Sequence, residues 1–371
     1  MTSSIVLSAL LHNLLDVPFD LEFAVTNRCN LKCIQCNIWR HYEENPELAK
    51  EELSVERIAR IFSSYGGFNV IGITGGEPYL RADLPEILDV IMSTQRSLQS
   101  LFITTNGQLC DVTTAKVKEM LKRRDRYGVR FELTHLVSID GPRELHDEIR
   151  GVVGAHEKAL KTLRLLAELA SSYPSFHVGT VTVCSPFNVD RLSEVLDHIS
   201  ELKEEYDLEP SFCVWFQGQL YRNIEECQNL KVEEFRQRLI DYIPRMKSIV
   251  GSRSAISIGR SIFYDLLCFW LRNPSRQVVP CGAARVRYFL DPYGSLYPCT
   301  IFNHKAGALV DFDDNLKKLF LSDARMKARS LVEDERCPIC CNTCETIPAM
   351  MVKPIHTAVK WFESRLFQRN S

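Results

Sequence analysis

Three cysteines, Cys29, Cys33 and Cys36, stand in one short polar stretch at spacing C-x3-C-x2-C. Three thiolates on one loop can converge on one metal centre. An iron–sulfur cubane normally takes four, so three leave one iron open to a ligand that is not protein. A three-cysteine zinc site is a second reading, and three scattered core cysteines a third. The neighbours Asn27, Arg28, Asn30 and Lys32 are polar, which speaks against a plain core. An apolar run from Leu21 to Val25 leads in, so the loop should leave the end of a buried strand.

A second group of cysteines lies near the other end. Cys281 and Cys299 bracket two apolar runs joined by Asp-Pro-Tyr-Gly, which predicts a β-hairpin that brings them together. Cys337, Cys340, Cys341 and Cys344 follow. Pairs from two elements can complete a four-thiolate site, for zinc or for iron and sulfur, with the thiol pattern alone leaning to zinc. Cys110, Cys184, Cys213, Cys227 and Cys268 stand apart, as core cysteines do.

Between these groups lie shorter signals. Gly75 and Gly76 let the backbone approach a ligand, and the carboxylate of Glu77 can accept from an ammonium group. Thr104 to Gly107 reads as a turn. Ser138, Asp140, His146 and Arg150 follow a fourth apolar run, and the planar fork of Arg150 suits a carboxylate. Thr182 lies on a threonine-interleaved strand. Trp215, Gln217 and Tyr221 end a sixth and are candidate substrate contacts.

The elements that must position these groups alternate. Strands are predicted at 20–26, 69–74, 100–105, 130–139, 176–184 and 211–217. Helices are predicted at 54–65, 83–96, 112–124, 154–171, 188–205 and 232–248. Six βα units imply an α/β fold with a parallel sheet and right-handed crossovers, doubly wound or curved into a part-barrel. The expected division is an N-terminal helix (1–18), a barrel (19–220), a helical linker (221–280), a cysteine-rich unit (281–345) and a C-terminal amphipathic helix (346–371). Length 371, 45% hydrophobic residues and net charge −2 suit a well-cored globular chain with no call for nucleic acid. Fourteen cysteines at ligand spacing, with no Arg/Lys-led signal peptide, fit a reducing, cytoplasmic setting. No apolar stretch is long enough to span a membrane. The amphipathic ends leave contact with a membrane surface open.

The C-x3-C-x2-C loop after a first strand, with Gly75-Gly76-Glu77-Pro78 one βα unit on, resembles the radical S-adenosylmethionine (radical SAM) superfamily. Gln35, before the third cysteine, departs from the aromatic residue common there. The hairpin C-x12-G-x4-C followed by C-x2-C resembles the SPASM and Twitch extensions of that superfamily. The resemblance covers about residues 20–345 and implies a partial (β/α)6 TIM-like barrel with a small hairpin and helix extension. It implies a [4Fe–4S] cluster on Cys29, Cys33 and Cys36 that binds SAM, with Gly75, Gly76, Glu77, Ser138, Arg150 and Thr182 around the cofactor. It favours one auxiliary [4Fe–4S] cluster on Cys281, Cys299, Cys337 and Cys340, with Cys344 the rival fourth ligand.

The activity so implied is reductive cleavage of SAM to a 5′-deoxyadenosyl radical. The radical abstracts a substrate hydrogen, and the auxiliary cluster helps to oxidise or cross-link the product. Partners would be a reductase such as flavodoxin or ferredoxin, and a peptide, sugar or lipid-like substrate. About 18 residues precede the first strand, which disfavours a built-in peptide-leader domain. The rival function is an iron–sulfur electron carrier or redox sensor without SAM turnover.

Overall fold

A computed structural model describes the chain except for residues 1, 128–130, 219–220, 222, 224–231, 252–254, 276 and 370–371. The strands are β1 Asp20–Thr26, β2 Val70–Gly75, β3 Ser100–Thr105, β4 Glu132–Ser138, β5 Phe176–Cys184, β6 Ser211–Val214, β7 Arg287–Leu290, β8 Ser295–Tyr297 and β9 Gly307–Ala308. They form one sheet in the order β6-β5-β4-β3-β2-β1-β7-β8-β9. The helices are α1 Thr2–Leu15, α2 Arg40–Glu44, α3 Val55–Ser64, α4 Leu84–Thr94, α5 Cys110–Tyr127, α6 Arg143–Arg150, α7 Ala155–Ala170, α8 Leu192–Tyr206, α9 Val232–Val250, α10 Ala255–Arg272, α11 Leu316–Phe320, α12 Asp323–Glu333, α13 Thr343–Val352 and α14 Pro354–Arg369.

β1 to β6 are parallel and lie in chain order. Right-handed crossovers between neighbours in that order put every helix on one face. The other face stays bare unless the sheet curls around it. A part-barrel follows, whereas a doubly wound sheet would need the order to reverse. Strand alternation then sorts the side chains. Leu21, Phe23, Val25, Ile71, Ile73, Leu101, Ile103 and Leu133 join the core under the helices. On the opposite face a Cβ on Gly72 would lie 2.4 Å from Phe102 and 2.7 Å from the Glu22 carboxylate, so only glycine fits between them.

The predicted strands and helices of the barrel are present, with two differences. β6 stops at Val214, because Trp215 turns towards the cysteine loop. The segment 143–150, read as a loop, is helix α6. It buries Leu145 and Ile149 four residues apart, and Gly151 ends it in a left-handed conformation at φ 68°.

The C-terminal hairpin extends the barrel sheet. β7 pairs in parallel with β1, Asp20 opposite Arg287, and β8 and β9 add antiparallel strands. Arg287 is buried among Asp20, Glu22 and Glu345, the last 3.3 Å from its Nε, which locks β1, β7 and α13 together. The helices α9 and α10 pack on each other where a linker was expected.

The terminal helices turn apolar side chains outward. Leu7, Leu11, Leu14 and Leu15 of α1 are exposed, as are Ile355, Val359, Phe362 and Leu366 of α14. The inward face of α14 is polar, with Ser364 buried and Trp361 Nε1 donating to Asp265 at 2.8 Å. Among the described residues no helix is long and apolar enough to cross a membrane.

Candidate cofactor and cluster sites

Cys29, Cys33 and Cys36 follow the C-terminal end of β1, where parallel barrels collect functional groups. They pack with Leu31, Val152 and Ala155. Burial, with repulsion from Cys33, pushes the Cys29 and Cys36 thiols up to about 12. Burial also raises Cys33, against the pull of Arg150. Such thiols lose their protons only to a nearby positive charge, which a bound metal supplies. Among the described residues no three His, Cys, Asp or Glu side chains gather so as to hold a single metal ion.

Polar side chains brace this loop. Arg150 leans towards it, with Nη1 4.0 Å from Cys33 Sγ. Its Nη2 pairs with Asp140 Oδ2 at 2.7 Å. Gln35 Nε2 donates to the same oxygen at 2.8 Å, and Val183 N donates to Asp140 Oδ1 at 2.9 Å. The main-chain carbonyl of Gln35 accepts from Trp215 Nε1 and Asn223 Nδ2, each at 3.1 Å. Asn106 Nδ2 donates to Asn30 Oδ1 at 2.8 Å and lies 3.8 Å from Cys29 Sγ.

The expected site residues are engaged within the chain as follows. Asp140, fully buried, holds Arg150 through Nη2 alone, and the buried Nε of Arg150 has no hydrogen-bond partner among the described residues. Trp215 is 6% exposed, and its indole N–H braces the Gln35 carbonyl. Thr182 is buried and donates to Ile139 O at 2.6 Å, which ties β5 to the end of β4. Glu77 is fully buried. Its Oε1 accepts from Thr105 Oγ1 at 2.9 Å and Tyr79 N at 3.2 Å, and its Oε2 from Asn106 N at 2.7 Å. The carboxylate ties the β2 loop to the β3 loop. Burial raises its pKa to about 7, against those donors.

Gly75 and Gly76 face the cysteine loop. A Cβ on Gly75 would lie 2.1 Å from Thr26 O, and one on Gly76 2.1 Å from Arg28 O. Gly76 N and Glu77 N donate to these same carbonyls at 2.8 and 2.7 Å. The glycines therefore permit close backbone contact with residues 26–28. Ser138 closes β4, in register with Val181. Gln217 is half-buried and engaged with its neighbours. Tyr221 O accepts from Asn37 N at 2.9 Å, just past Cys36. Burial raises the Tyr221 phenol, and both Cys344 and Cys36 add to the rise. Tyr221 thus stands between the two cysteine groups.

Cys281, Cys299, Cys337 and Cys340 line one cavity, with Gln277, Glu345 and apolar neighbours. Cys344 lies outside that lining. Its electrostatic neighbours are Glu22, Arg287, Cys213 and Glu345, which places it towards β1. Cys341 is buried beside Thr346. Cys227 lies outside the described residues.

Asp140, Asn106 and Asn223 carry more of the bracing than their sequence signals suggested. Asp140 and Asn106 stand at strand ends, a usable signal. Asn223 stands in a stretch with no periodicity and had none.

Residues 23–199 match the profile of the Radical SAM superfamily. The Fe-coproporphyrin III synthase of Methanosarcina barkeri is 29% identical over 61% of this chain and 51% of its own length. The antilisterial bacteriocin subtilosin biosynthesis protein AlbA of Bacillus subtilis is 22% identical over 82% of this chain and 60% of its own. The chain thus spans only about half to three-fifths of these curated relatives. Native anSMEcpe, solved with bound AdoMet and a Cp18Cys peptide, shares the fold at TM-score 0.55 and 17% identity, over 95% of this chain and 97% of that one. That coverage takes in the cysteine-rich extension as well as the barrel.

Proposed function

We propose that the chain is a radical SAM enzyme with one auxiliary cluster, from the match of residues 23–199 to the Radical SAM superfamily profile. The observation that carries this reading is the pair of separate thiol sets: three on the β1 loop and four lining one cavity. Both fit their groups. The buried thiols need a positive partner to ionise, and the four lining thiols match the ligand number of a cubane. Cys29, Cys33 and Cys36 would hold the first cluster. Cys281, Cys299, Cys337 and Cys340 would hold the second. What the bound clusters and SAM supply is abstraction of a substrate hydrogen atom and an acceptor for the electron left behind.

The chain's own residues do the positioning. Arg150 offsets negative charge at Cys33, and Asp140 holds Arg150 in place. Gln35, Trp215 and Asn223 fix the loop between the second and third cysteines. Glu77 orders Thr105 and Asn106, so that Asn106 reaches Asn30 and Cys29. Gly75 and Gly76 keep that shelf against the cysteine loop, beside the place for SAM. Ser138 and Gln217 edge the barrel mouth. Tyr221, whose carbonyl accepts from Asn37 N just past Cys36, is a candidate substrate contact beside the first cluster. A peptide substrate draws support from the bacteriocin relative and from the peptide bound to anSMEcpe.

Iron analysis tests this. The wild type should bind about eight irons, and a Cys29/Cys33/Cys36 triple alanine variant about four. That variant should form no 5′-deoxyadenosine under dithionite. Undiminished formation would overturn the assignment. Full iron without SAM binding by the wild type would favour the electron-carrier reading.

A further inference from the structure

We propose that the turn Gly151–Gly154, between α6 and α7, is the docking point for the external electron donor, a small redox protein with an apolar contact face. This rests on the cluster site assigned above. Val153 is 94% exposed, more than any other large apolar side chain among the described residues. A lone exposed valine is ordinary; its position is what distinguishes it. Its chain neighbour Val152 packs against the small cluster of Leu31, Cys33 and Ala155, on which Cys29 and Cys36 also pack. Two residues therefore lead from open solvent to the thiols. Tunnelling falls steeply with distance, so the reductant gains most where the covering layer is this thin.

The turn is also stiff. Lys32 N donates to Arg150 O at 3.2 Å and Ile34 N to Ile149 O at 2.9 Å, which stitches the end of α6 to the cysteine loop. Gly151 abuts Lys32 O, where a Cβ would come within 2.4 Å. Gly154, at φ 81°, turns the chain into α7. Asp147 Oδ2 accepts from Gly154 N at 2.7 Å and Oδ1 from His156 N at 2.8 Å. A contact point fixed in advance loses little freedom on binding. Ile34, 39% exposed, adds apolar surface on the cysteine loop itself. Arg143, Glu144 and Glu148 border the hollow beside Val153. An apolar centre with a mixed-charge rim is the make-up of a protein contact, and a small one suits a brief electron-transfer encounter. Each encounter passes one electron: the donor's centre is oxidised by one unit and the cluster reduced by one.

The test uses the cluster-loaded full chain and a flavodoxin, kept reduced by its reductase and NADPH, that reduces the wild type. Val153→Asp should slow bleaching of the cluster by flavodoxin at least tenfold. Its iron content and its reduction by dithionite should stay as in the wild type. Val310→Asp, at another open site (68% exposed) on the 3-10 turn after β9, should react like the wild type. NMR titration of labelled flavodoxin should show weaker binding to Val153→Asp alone. Equal rates with flavodoxin for wild type and Val153→Asp would overturn the proposal, as would equal slowing by Val310→Asp. Absence of SAM cleavage by the dithionite-reduced wild type would instead count against the proposed enzyme.

Discussion

Asp140 is the side chain on which the cysteine loop depends most, and Asp140→Asn tests that dependence. The carboxylate is fully buried and its ion-pair partner Arg150 is 9% exposed. Oδ2 takes donors from Arg150 and Gln35, and Oδ1 takes Val183 N. An asparagine has one acceptor oxygen, so in either orientation its NH2 meets another donor. The guanidinium also loses its counter-charge. Breaking a buried pair from one side costs roughly 3–5 kcal/mol. At about 3 kcal/mol per molar urea, the unfolding midpoint should fall by about 1–1.7 M. Most of that cost belongs to the stranded Arg150. Asp140→Asn combined with Arg150→Met should therefore be less destabilised than the sum of the singles, by about 2 kcal/mol. Urea unfolding of the four proteins in the cycle, followed by fluorescence, measures both quantities. A midpoint shift under about 0.3 M at ~3 kcal/mol per molar, or strict additivity, would refute the reasoning.

Two further outcomes follow from the sites. Cys340→Ser should remove about four irons, and Cys344→Ser should leave iron content unchanged, because Cys344 lies outside the four-thiol cavity; iron loss from the second variant and none from the first would exchange their roles. Burial raises the Glu77 carboxyl to about 7. The native chain therefore holds that proton after the unfolded chain has released it near 4.5, so stability falls as pH rises between the two, by at most about 3 kcal/mol. Asp20, also raised to about 7 by burial, adds to the fall over a similar window. Glu77→Gln should flatten the fall without abolishing it, and an unchanged urea midpoint-versus-pH slope would show that Glu77 does not titrate there.

Much of this protein is determined locally. Strand periodicity, the Ser54 side chain that caps α3 by accepting from Arg57 N, and the glycine that ends α6 act within a few residues, so the order of elements is written in the chain. The C-x3-C-x2-C spacing confines three thiols to one loop whatever surrounds it. The order of six parallel strands, with one crossover hand, leaves little choice but to curl. Tertiary structure decided what side-chain direction controls. Glu77 could have faced a ligand or the protein; the donors on Thr105 and Asn106, brought alongside by β3, turned it inward. Arg150, at the end of α6, found its counter-charge in Asp140, just past the end of β4. Cys340 and Cys344 are one helical turn apart in sequence, and only the packing of α13 against β1 and β7 sends one into the cavity and the other towards Glu22. The parallel pairing of β7 with β1 joins residues more than 260 positions apart. Its sequence trace is two short apolar runs, which would suit a free hairpin equally well. Buried Arg287, matched to Asp20 and Glu22 across that pairing, selects the sheet, because no other arrangement gives three buried carboxylates their counter-charge.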